Sequence, residues 1–175
     1  MDWEKYGVYD FPATVEMIKK RNGGRKVAYV GHSQGTTQMY AGMGIIPQWY
    51  DENVSVAALL GPCTSPDPSY FEPLYTYENF SWFAKNNIWV FDGPNWEEDR
   101  AKIYGTNTNG PVDPAPQIVQ DSIPAIEHLA NNPLQAVAAY GQTSLSGRFQ
   151  RYNTNWWSEP LKTPKAELMD YSMVR

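Results

Sequence analysis

The sequence has few of the residues that metal sites, disulfides and proton-transfer sites use. Its 175 residues include one cysteine, Cys63, and two histidines, His32 and His128. A single cysteine cannot close an internal disulfide, so cysteine usage does not indicate a redox compartment. We interpret Cys63 as a small buried apolar residue rather than a reactive thiol, and we predict no metal and no cofactor.

Excess positive charge is also lacking, because the formal net charge is -5. Binding to nucleic acid needs clustered cations that neutralise phosphates, and we therefore predict no nucleic-acid partner. We interpret the one basic cluster as a solvated helix end, where cations favour the helix dipole. Its members are Lys19, Lys20, Arg21, Arg25 and Lys26.

Long apolar runs are missing as well. No stretch reaches the roughly 18 to 20 apolar residues of a membrane span, and polar residues follow Met1 where a signal peptide would be apolar. We therefore expect no transmembrane segment and no signal peptide in this chain. The glycosylation sequons at Asn53 and Asn79 give secretion little support, since short sequons also arise by chance.

The segment 1–61 contains a helix-strand-helix-strand pattern. We predict a helix from Pro12 to Arg21 with Asp10 as its N-cap and Phe11, Val15 and Ile18 on one face. The unbroken apolar runs 27–30 and 54–60 predict strands buried on both faces, and residues 36–43 between them are compatible with a helix that ends before Pro47. This order requires crossover connections and predicts an α/β fold with parallel strands.

Residues 62–165 hold most of the 14 prolines, and we predict a mainly helical insertion there. One helix should run from Pro133 to Ser146, with Asn132 at the N-cap, Gly147 past its end, and residues 134, 137, 138, 141 and 145 on one face. Another should start at Asn95. Residues 166–175 would begin the return to the core. We expect most of the aromatic residues between 70 and 96 to form the core of the insertion.

The pentapeptide Gly31-His32-Ser33-Gln34-Gly35 matches the pattern G-x-S-x-G. In a nucleophile elbow of this type, the serine occupies a strained turn between a strand and a helix, and the glycines let neighbouring backbones approach. Ser33 is therefore the candidate nucleophile. The N–H of Gln34, at the start of the helix, is a candidate oxyanion donor. The alternative is a glycine-rich turn with an incidental serine.

Two longer blocks resemble the acid lipase family, which includes gastric and lysosomal acid lipases. The first joins residues 9–14 to residues 29–37, and the second is Ser146 to Tyr152. The resemblance implies a partial α/β-hydrolase fold with a helical cap and hydrolysis of fatty-acid esters such as triacylglycerols or sterol esters. It also implies a secreted or lysosomal location and allows transient contact with a lipid interface.

The family's triad follows the order Ser, Asp, His, and only Ser33 has a match in this sequence. We expect His32 to point away from the Ser33 hydroxyl and to pack or form a hydrogen bond beneath the turn. His128 is interpreted as a helix residue of the cap, and Asp170 as a surface or capping residue, with a triad role for either as the alternative. The chain alone should therefore be a weak or inactive esterase and resembles the middle of a protein about twice as long.

Three functions remain open at this point. The first is a serine lipase whose nucleophile is Ser33. The second is a non-catalytic relative that binds or supports another molecule and retains Ser33 without using it. The third is another α/β-hydrolase, such as a peptidase or thioesterase.

Overall fold

The structure, a computed structural model, describes residues 2–64, 74–106, 110, 112–127 and 132–152. These residues form two compact units. The first unit contains residues 2–64 and 147–152, and the second contains the described residues between 74 and 146. The domain limits expected from the sequence, 1–61, 62–165 and 166–175, remain predictions.

The first unit is a short parallel sheet with helices before and between its strands. In chain order its elements are α1 (Trp3–Lys5), one π-helical turn (Tyr6–Asp10), α2 (Phe11–Arg21), β1 (Val27–His32), α3 (Gln34–Ile45), α4 (Pro47–Asn53) and β2 (Val54–Leu60).

Strands β1 and β2 pair in parallel, from Val27 opposite Val54 to His32 opposite Leu60. The predicted parallel α/β arrangement is confirmed for this pair. The prediction that both strands are buried on both faces is wrong, because Val30 is 70% exposed and Val56 is 61% exposed. In the described residues the sheet has two strands. Alternate apolar side chains therefore face solvent.

The helix predicted from Pro12 is present as α2, but its capping and its face differ from the prediction. Asp10 has helical backbone angles as the last residue of the π-helical turn, and its side chain makes no capping hydrogen bond. Val15 is fully buried, whereas Ile18 is 40% exposed. The basic residues of the last turn lie at the helix end as expected. Pro47 does more than end a helix, because it begins α4, which the sequence analysis missed.

A close approach between the π-helical turn and α3 forms the core of the first unit. A Cβ on Gly7 would collide with the backbone oxygen of Gln38. Only glycine therefore lets these two segments approach this closely. Tyr50 lies across the contact and donates a hydrogen bond of 2.6 Å to the carbonyl of Gly7. Trp3 and Met39 are also buried, and close packing of this kind fixes the position of α3.

The second unit is mainly helical, in agreement with the sequence. Its described elements are α5 (Tyr77–Lys85), β3 (Val90–Phe91), α6 (Trp96–Ile103), α7 (Gln117–Asp121), α8 (Ile123–Ile126), β4 (Asn132–Pro133) and α9 (Leu134–Ser146). Its core is aromatic: Phe83 packs edge-on against Phe91 with ring centroids 5.0 Å apart, and Phe80 is also buried. Most of the described aromatic residues between 70 and 96 are buried, as expected: Tyr75, Phe80, Phe83, Phe91 and Trp96.

The longest helix of this unit begins one residue later than expected. Asn132 and Pro133 pair with Phe91 and Val90 in a two-residue antiparallel ladder, and they are therefore not the N-cap and first residue of α9. The predicted buried face is correct except at Leu145, which is 40% exposed. Gly147 has a positive φ of 63° just past the helix end, as its position predicts.

Helix α6 begins beside Asn95 as predicted, although the Asn95 side chain makes no capping hydrogen bond.

Both sequon asparagines are buried, since Asn53 is 5% exposed and Asn79 is 3% exposed. Their amide groups donate to the carbonyls of Trp49 and Leu74. In the described part of the chain, none of the helices has the length and apolar character that a membrane crossing requires.

Candidate active site

Ser33 forms a bent corner between β1 and α3. Its backbone angles are φ 53° and ψ -120°. Residues with side chains rarely adopt this region, which costs about 1–3 kcal/mol. The residue is exposed, so the bend places its hydroxyl at the surface of the first unit. The strand before the motif and the helix after it, which the pattern requires, are both present.

Main-chain hydrogen bonds on both sides hold this bend in place. The Ser33 N–H donates to the carbonyl of Leu60 at 3.0 Å, which continues the ladder between β1 and β2 into the corner. The Ser33 carbonyl accepts from the N–H of Thr36 at 2.9 Å and from the Thr36 hydroxyl at 2.6 Å. The corner therefore has partners in the neighbouring strand and in the first turn of α3.

The two glycines of the motif have unequal steric roles. A Cβ on Gly31 would lie 2.6 Å from Cε1 of Tyr29 and 2.9 Å from the carbonyl oxygen of Gly35. A Cβ on Gly35 would meet only the Tyr29 hydroxyl, at 3.2 Å. Both glycines were expected to allow close backbone contact, and the structure assigns the tighter constraint to Gly31.

Tyr29 braces the corner from inside the first unit. Its hydroxyl donates to the carbonyl of Gly35 at 2.8 Å and accepts from the Gln38 side-chain amide at 3.1 Å. Its ring packs edge-on against Phe11, with centroids 5.0 Å apart. The sequence analysis did not identify this residue, because a tyrosine in an apolar run gives no sign of where its hydroxyl will point.

Gln34 is the first residue of α3. Its N–H lies in the first turn, where no preceding carbonyl of the helix can accept it, and the positive end of the helix dipole adds to its effect. The peptide group beside the Ser33 hydroxyl is thus suited to stabilise negative charge. The oxyanion role of Gln34 and the nucleophilic role of Ser33 remain predictions.

Within the described residues, the Ser33 hydroxyl has one hydrogen-bonding neighbour, the sulfur of Cys63, at 3.6 Å. Cys63 is half-exposed, so the expectation of a buried apolar cysteine is wrong. The cause is the turn at Gly61, which has φ 60° and carries the chain from the end of β2 to the front of the corner.

The histidines do not supply a base at this site in the described residues. His32 is exposed at the end of β1, beside Gly61, and its side chain makes no hydrogen bond to another described residue. The expectation that it packs or bonds beneath the turn is wrong, because its strand face is open to solvent. His128 and Asp170 lie outside the described residues. No group of three or more His, Cys, Asp or Glu side chains that could hold a metal gathers in the part that is described.

The second family-like block, residues 146–152, returns to the first helix of this unit. Arg151 Nε donates to Oε2 of Glu4 at 2.9 Å, and the N–H of Tyr152 donates to Oε1 of the same carboxylate at 2.5 Å. The rings of Trp3 and Phe149 lie 5.9 Å apart. Glu4 therefore joins two distant parts of the chain, and its role was not visible in the sequence.

The geometry around Ser33 resembles that of one class of enzymes. An exposed serine with strained backbone angles follows a parallel strand and precedes a helix, as in α/β enzymes that use a serine nucleophile. This geometry is more specific than the α/β fold alone, because an ordinary turn from a strand to a helix does not require a positive φ at a serine.

Part of the amino-acid sequence is similar to known lipases. The chain is 35% identical over 79 residues to Lipase 3 of Drosophila melanogaster, covering 42% of this chain and 20% of that protein. It is 36% identical over 70 residues to human lysosomal acid lipase/cholesteryl ester hydrolase, covering 37% and 17% respectively. Over 60 residues it is 37% identical to gastric triacylglycerol lipase of Bos taurus, covering 34% and 15%.

These matches confirm that part of the chain resembles the acid lipase family. The matched segments span only 15% to 20% of the length of the three relatives. No protein-family model matches the chain.

Proposed function

We propose that this chain carries the nucleophile part of a serine ester hydrolase of the α/β-hydrolase fold, with Ser33 as nucleophile. The observation that carries the proposal is the backbone of Ser33, at φ 53° and ψ -120°, on an exposed corner between β1 and α3. Strain of this kind persists only where the surroundings enforce it, and it concentrates at functional sites.

In the proposed reaction, the Ser33 hydroxyl attacks the carbonyl carbon of an ester. The resulting oxyanion lies near the N–H of Gln34, whose charge stabilisation needs no rearrangement because the helix start is already in place. The alcohol leaves with the proton of the Ser33 hydroxyl, and water then hydrolyses the serine ester, which releases the acid and returns a proton to the Ser33 oxygen. No metal or other cofactor takes part in this sequence.

The resemblance supports fatty-acid esters, such as triacylglycerols or sterol esters, as substrates. Two of the relatives are named for triacylglycerol and cholesteryl ester hydrolysis. The same relatives support a secreted or lysosomal location for the intact protein, with transient contact at a lipid interface. Residues 62–165 would then correspond to the helical cap region of that family.

A serine hydroxyl is a weak nucleophile without a base. In the described residues, no side chain that could act as a base contacts the Ser33 hydroxyl. This observation favours a second candidate, a non-catalytic relative that binds or supports another molecule. The two candidates differ in whether Ser33 reacts.

A fluorophosphonate probe separates the two candidates, since it phosphonylates an activated serine. We expect labelling of Ser33, loss of labelling in Ser33→Ala, and unchanged labelling in Ser55→Ala. Ser55 is the matched control because it is also exposed, at the neighbouring strand, and its hydroxyl donates to the carbonyl of Val27. A folded sample in which Ser33 is not labelled would favour the non-catalytic candidate.

If Ser33 is labelled, a panel of esters with acyl chains of increasing length identifies the substrate class. A preference for long oxygen esters supports a lipase. A preference for thioesters or for peptide-like amides instead supports another α/β-hydrolase, such as a thioesterase or a peptidase.

A further inference from the structure

The loop that follows β2 is tied to the first turn of α3 by two buried threonines. Thr36 and Thr37 are each 0% exposed. The Thr36 hydroxyl accepts from the N–H of Cys63 at 3.1 Å, and the Thr37 hydroxyl donates to the Cys63 carbonyl at 3.0 Å. Both polar groups of the Cys63 main chain are thus held by side chains of one helix.

The Thr36 hydroxyl also serves the nucleophile, because it donates to the carbonyl of Ser33 at 2.6 Å. A hydroxyl has one hydrogen to donate, and here it is used for Ser33 while a lone pair accepts from Cys63. One atom, Oγ1 of Thr36, therefore links the strained serine to the residue that faces it. The Sγ of Cys63 lies 3.6 Å from the Ser33 hydroxyl oxygen as a result.

We propose that Thr36 and Thr37 are positioning residues that hold Cys63 next to Ser33. Cys63 then forms one fixed side of the space in front of the Ser33 hydroxyl. The part of this inference that concerns substrate rests on the proposed function. Any group bonded to the Ser33 oxygen must then clear the Cys63 sulfur, which makes Cys63 a residue that limits the size of that group.

Packing alone does not account for these threonines. Valine has nearly the same shape as threonine and would fill the same space with a methyl group in place of the hydroxyl. If these residues served packing alone, valine would serve equally well and no buried hydroxyl would need a partner. Serine keeps the hydroxyl and lacks the methyl group. The pair of substitutions Thr36→Val and Thr36→Ser therefore separates the hydrogen bonds from the packing.

The first test measures how fast a disulfide reagent, dithiobis-nitrobenzoate, modifies the single cysteine of the folded chain. Loss of the hydrogen bonds in Thr36→Val or Thr37→Val should free the loop and raise the rate of modification at least about fivefold, the factor that corresponds to one hydrogen bond of ~1 kcal/mol. Thr36→Ser should keep the parent rate.

Tyr50→Phe is the matched control for general loosening of the first unit. It removes a buried hydrogen bond to the Gly7 carbonyl, and neither residue contacts the Cys63 loop through that bond. We expect a lower unfolding temperature and an unchanged thiol rate. The proposal is overturned if Thr36→Val leaves the thiol rate unchanged, if Thr36→Ser behaves like Thr36→Val, or if Tyr50→Phe raises the rate as much as they do.

The second test compares small and bulky fluorophosphonates at Ser33. Cys63→Ala should raise the labelling rate of a bulky reagent relative to a small one, because only the bulky group meets the sulfur. Equal ratios in parent and variant would overturn the size-limiting role. If Ser33 of the parent is not labelled at all, the proposed function fails, whereas the thiol rates still decide whether the threonines hold the loop.

Discussion

The two units bury apolar surface in different ways. In the first unit, a sheet of two described strands leaves Val30 and Val56 mostly exposed, and the strained corner depends on hydrogen bonds with Leu60 and Thr36. In the second unit, the described aromatic residues Phe80, Phe83 and Phe91 are buried and form one cluster, with Phe83 in the middle.

This difference separates two sources of structure. The second unit has side chains that remove large apolar areas from water, and such burial contributes roughly 25 cal/mol per Å². The first unit places the Ser33 hydroxyl on an exposed corner, and hydrogen bonds and glycines hold that corner in place. We therefore expect truncation of a central aromatic side chain to destabilise the second unit strongly. Truncation of an exposed strand side chain should affect the first unit little, whereas backbone changes at its corner should affect it more.

The largest expected effect comes from Phe83→Ala. Phe83 is fully buried and packs against three aromatic rings. Its loss should lower the free energy of unfolding of the second unit by about 3–5 kcal/mol. Urea unfolding followed by tryptophan fluorescence measures this change. Val30→Ala is the control in the first unit, because Val30 is mostly exposed. Its expected change is below about 0.5 kcal/mol, and a similar loss for both variants would contradict the comparison.

Alkaline pH should destabilise both units through buried phenols. Burial raises the pKa of Tyr75 from 10.0 to about 12, and burial, followed by the charge of Tyr29, raises the pKa of Tyr50 further. A raised folded-state pKa stabilises the protein fully below the unfolded pKa and loses that contribution as pH rises through the folded one. Tyr75 should therefore contribute a loss of about 2–3 kcal/mol as the pH rises from its ordinary pKa to its raised pKa.

Urea unfolding at a series of pH values above 9 measures this loss, and phenylalanine variants assign it. Tyr75→Phe should flatten the pH dependence of the second unit, and Tyr50→Phe that of the first. An equally steep decline in both variants would show that other groups cause it.

The motif glycines offer a sharper test of the first unit. Gly31→Ala forces a Cβ to within 2.6 Å of Tyr29 and 2.9 Å of the Gly35 carbonyl. Overpacking of this kind costs about 1–3 kcal/mol. Gly35→Ala meets only a side-chain hydroxyl and lies in a helix, where alanine is favoured, so its effect should be close to zero. The two variants share one motif and one substitution, and equal stabilities by urea unfolding would refute the steric account.

Much of the first unit follows from local sequence signals. The runs 27–30 and 54–60 lie in β1 and β2, and G-x-S-x-G places its serine at the bend, because strand propensity and the need for small residues act locally. Exposure was predicted wrongly at Val30 because burial depends on what packs against a strand. The contact of Cys63 with Ser33 joins distant parts of the chain, and no local pattern encodes it.

In the second unit, tertiary pairing explains the main error. Asn132 and Pro133 have the residue types that start a helix. They nevertheless pair with β3, and Leu134 donates its N–H to the carbonyl of Trp89 at 2.8 Å. The extended ladder takes the place of the predicted N-cap and first helical residue. Helix α5 was missed, although Thr76 accepts a hydrogen bond from the N–H of Asn79, as a regular N-cap does.

A substitution on the exposed sheet face of the first unit should have the smallest effect on stability. Its effect on self-association should be larger. Val30, Val56 and Leu60 are 70%, 61% and 55% exposed. Apolar side chains on strands with open edges favour association with other chains. Val56→Lys removes apolar surface from this face and adds a charge there. We expect the free energy of unfolding to change by less than about 0.5 kcal/mol, because an exposed side chain contributes little to folding.

Self-association should fall in the same variant, as measured by sedimentation or light scattering over a range of protein concentrations. Leu145→Lys is the matched control in the second unit, since Leu145 is also exposed, at 40%, but lies on a helix without an open strand edge. If both lysines reduce association equally, general charge repulsion is the cause. If only Val56→Lys does, then the exposed sheet face of the first unit is the surface through which the chains associate.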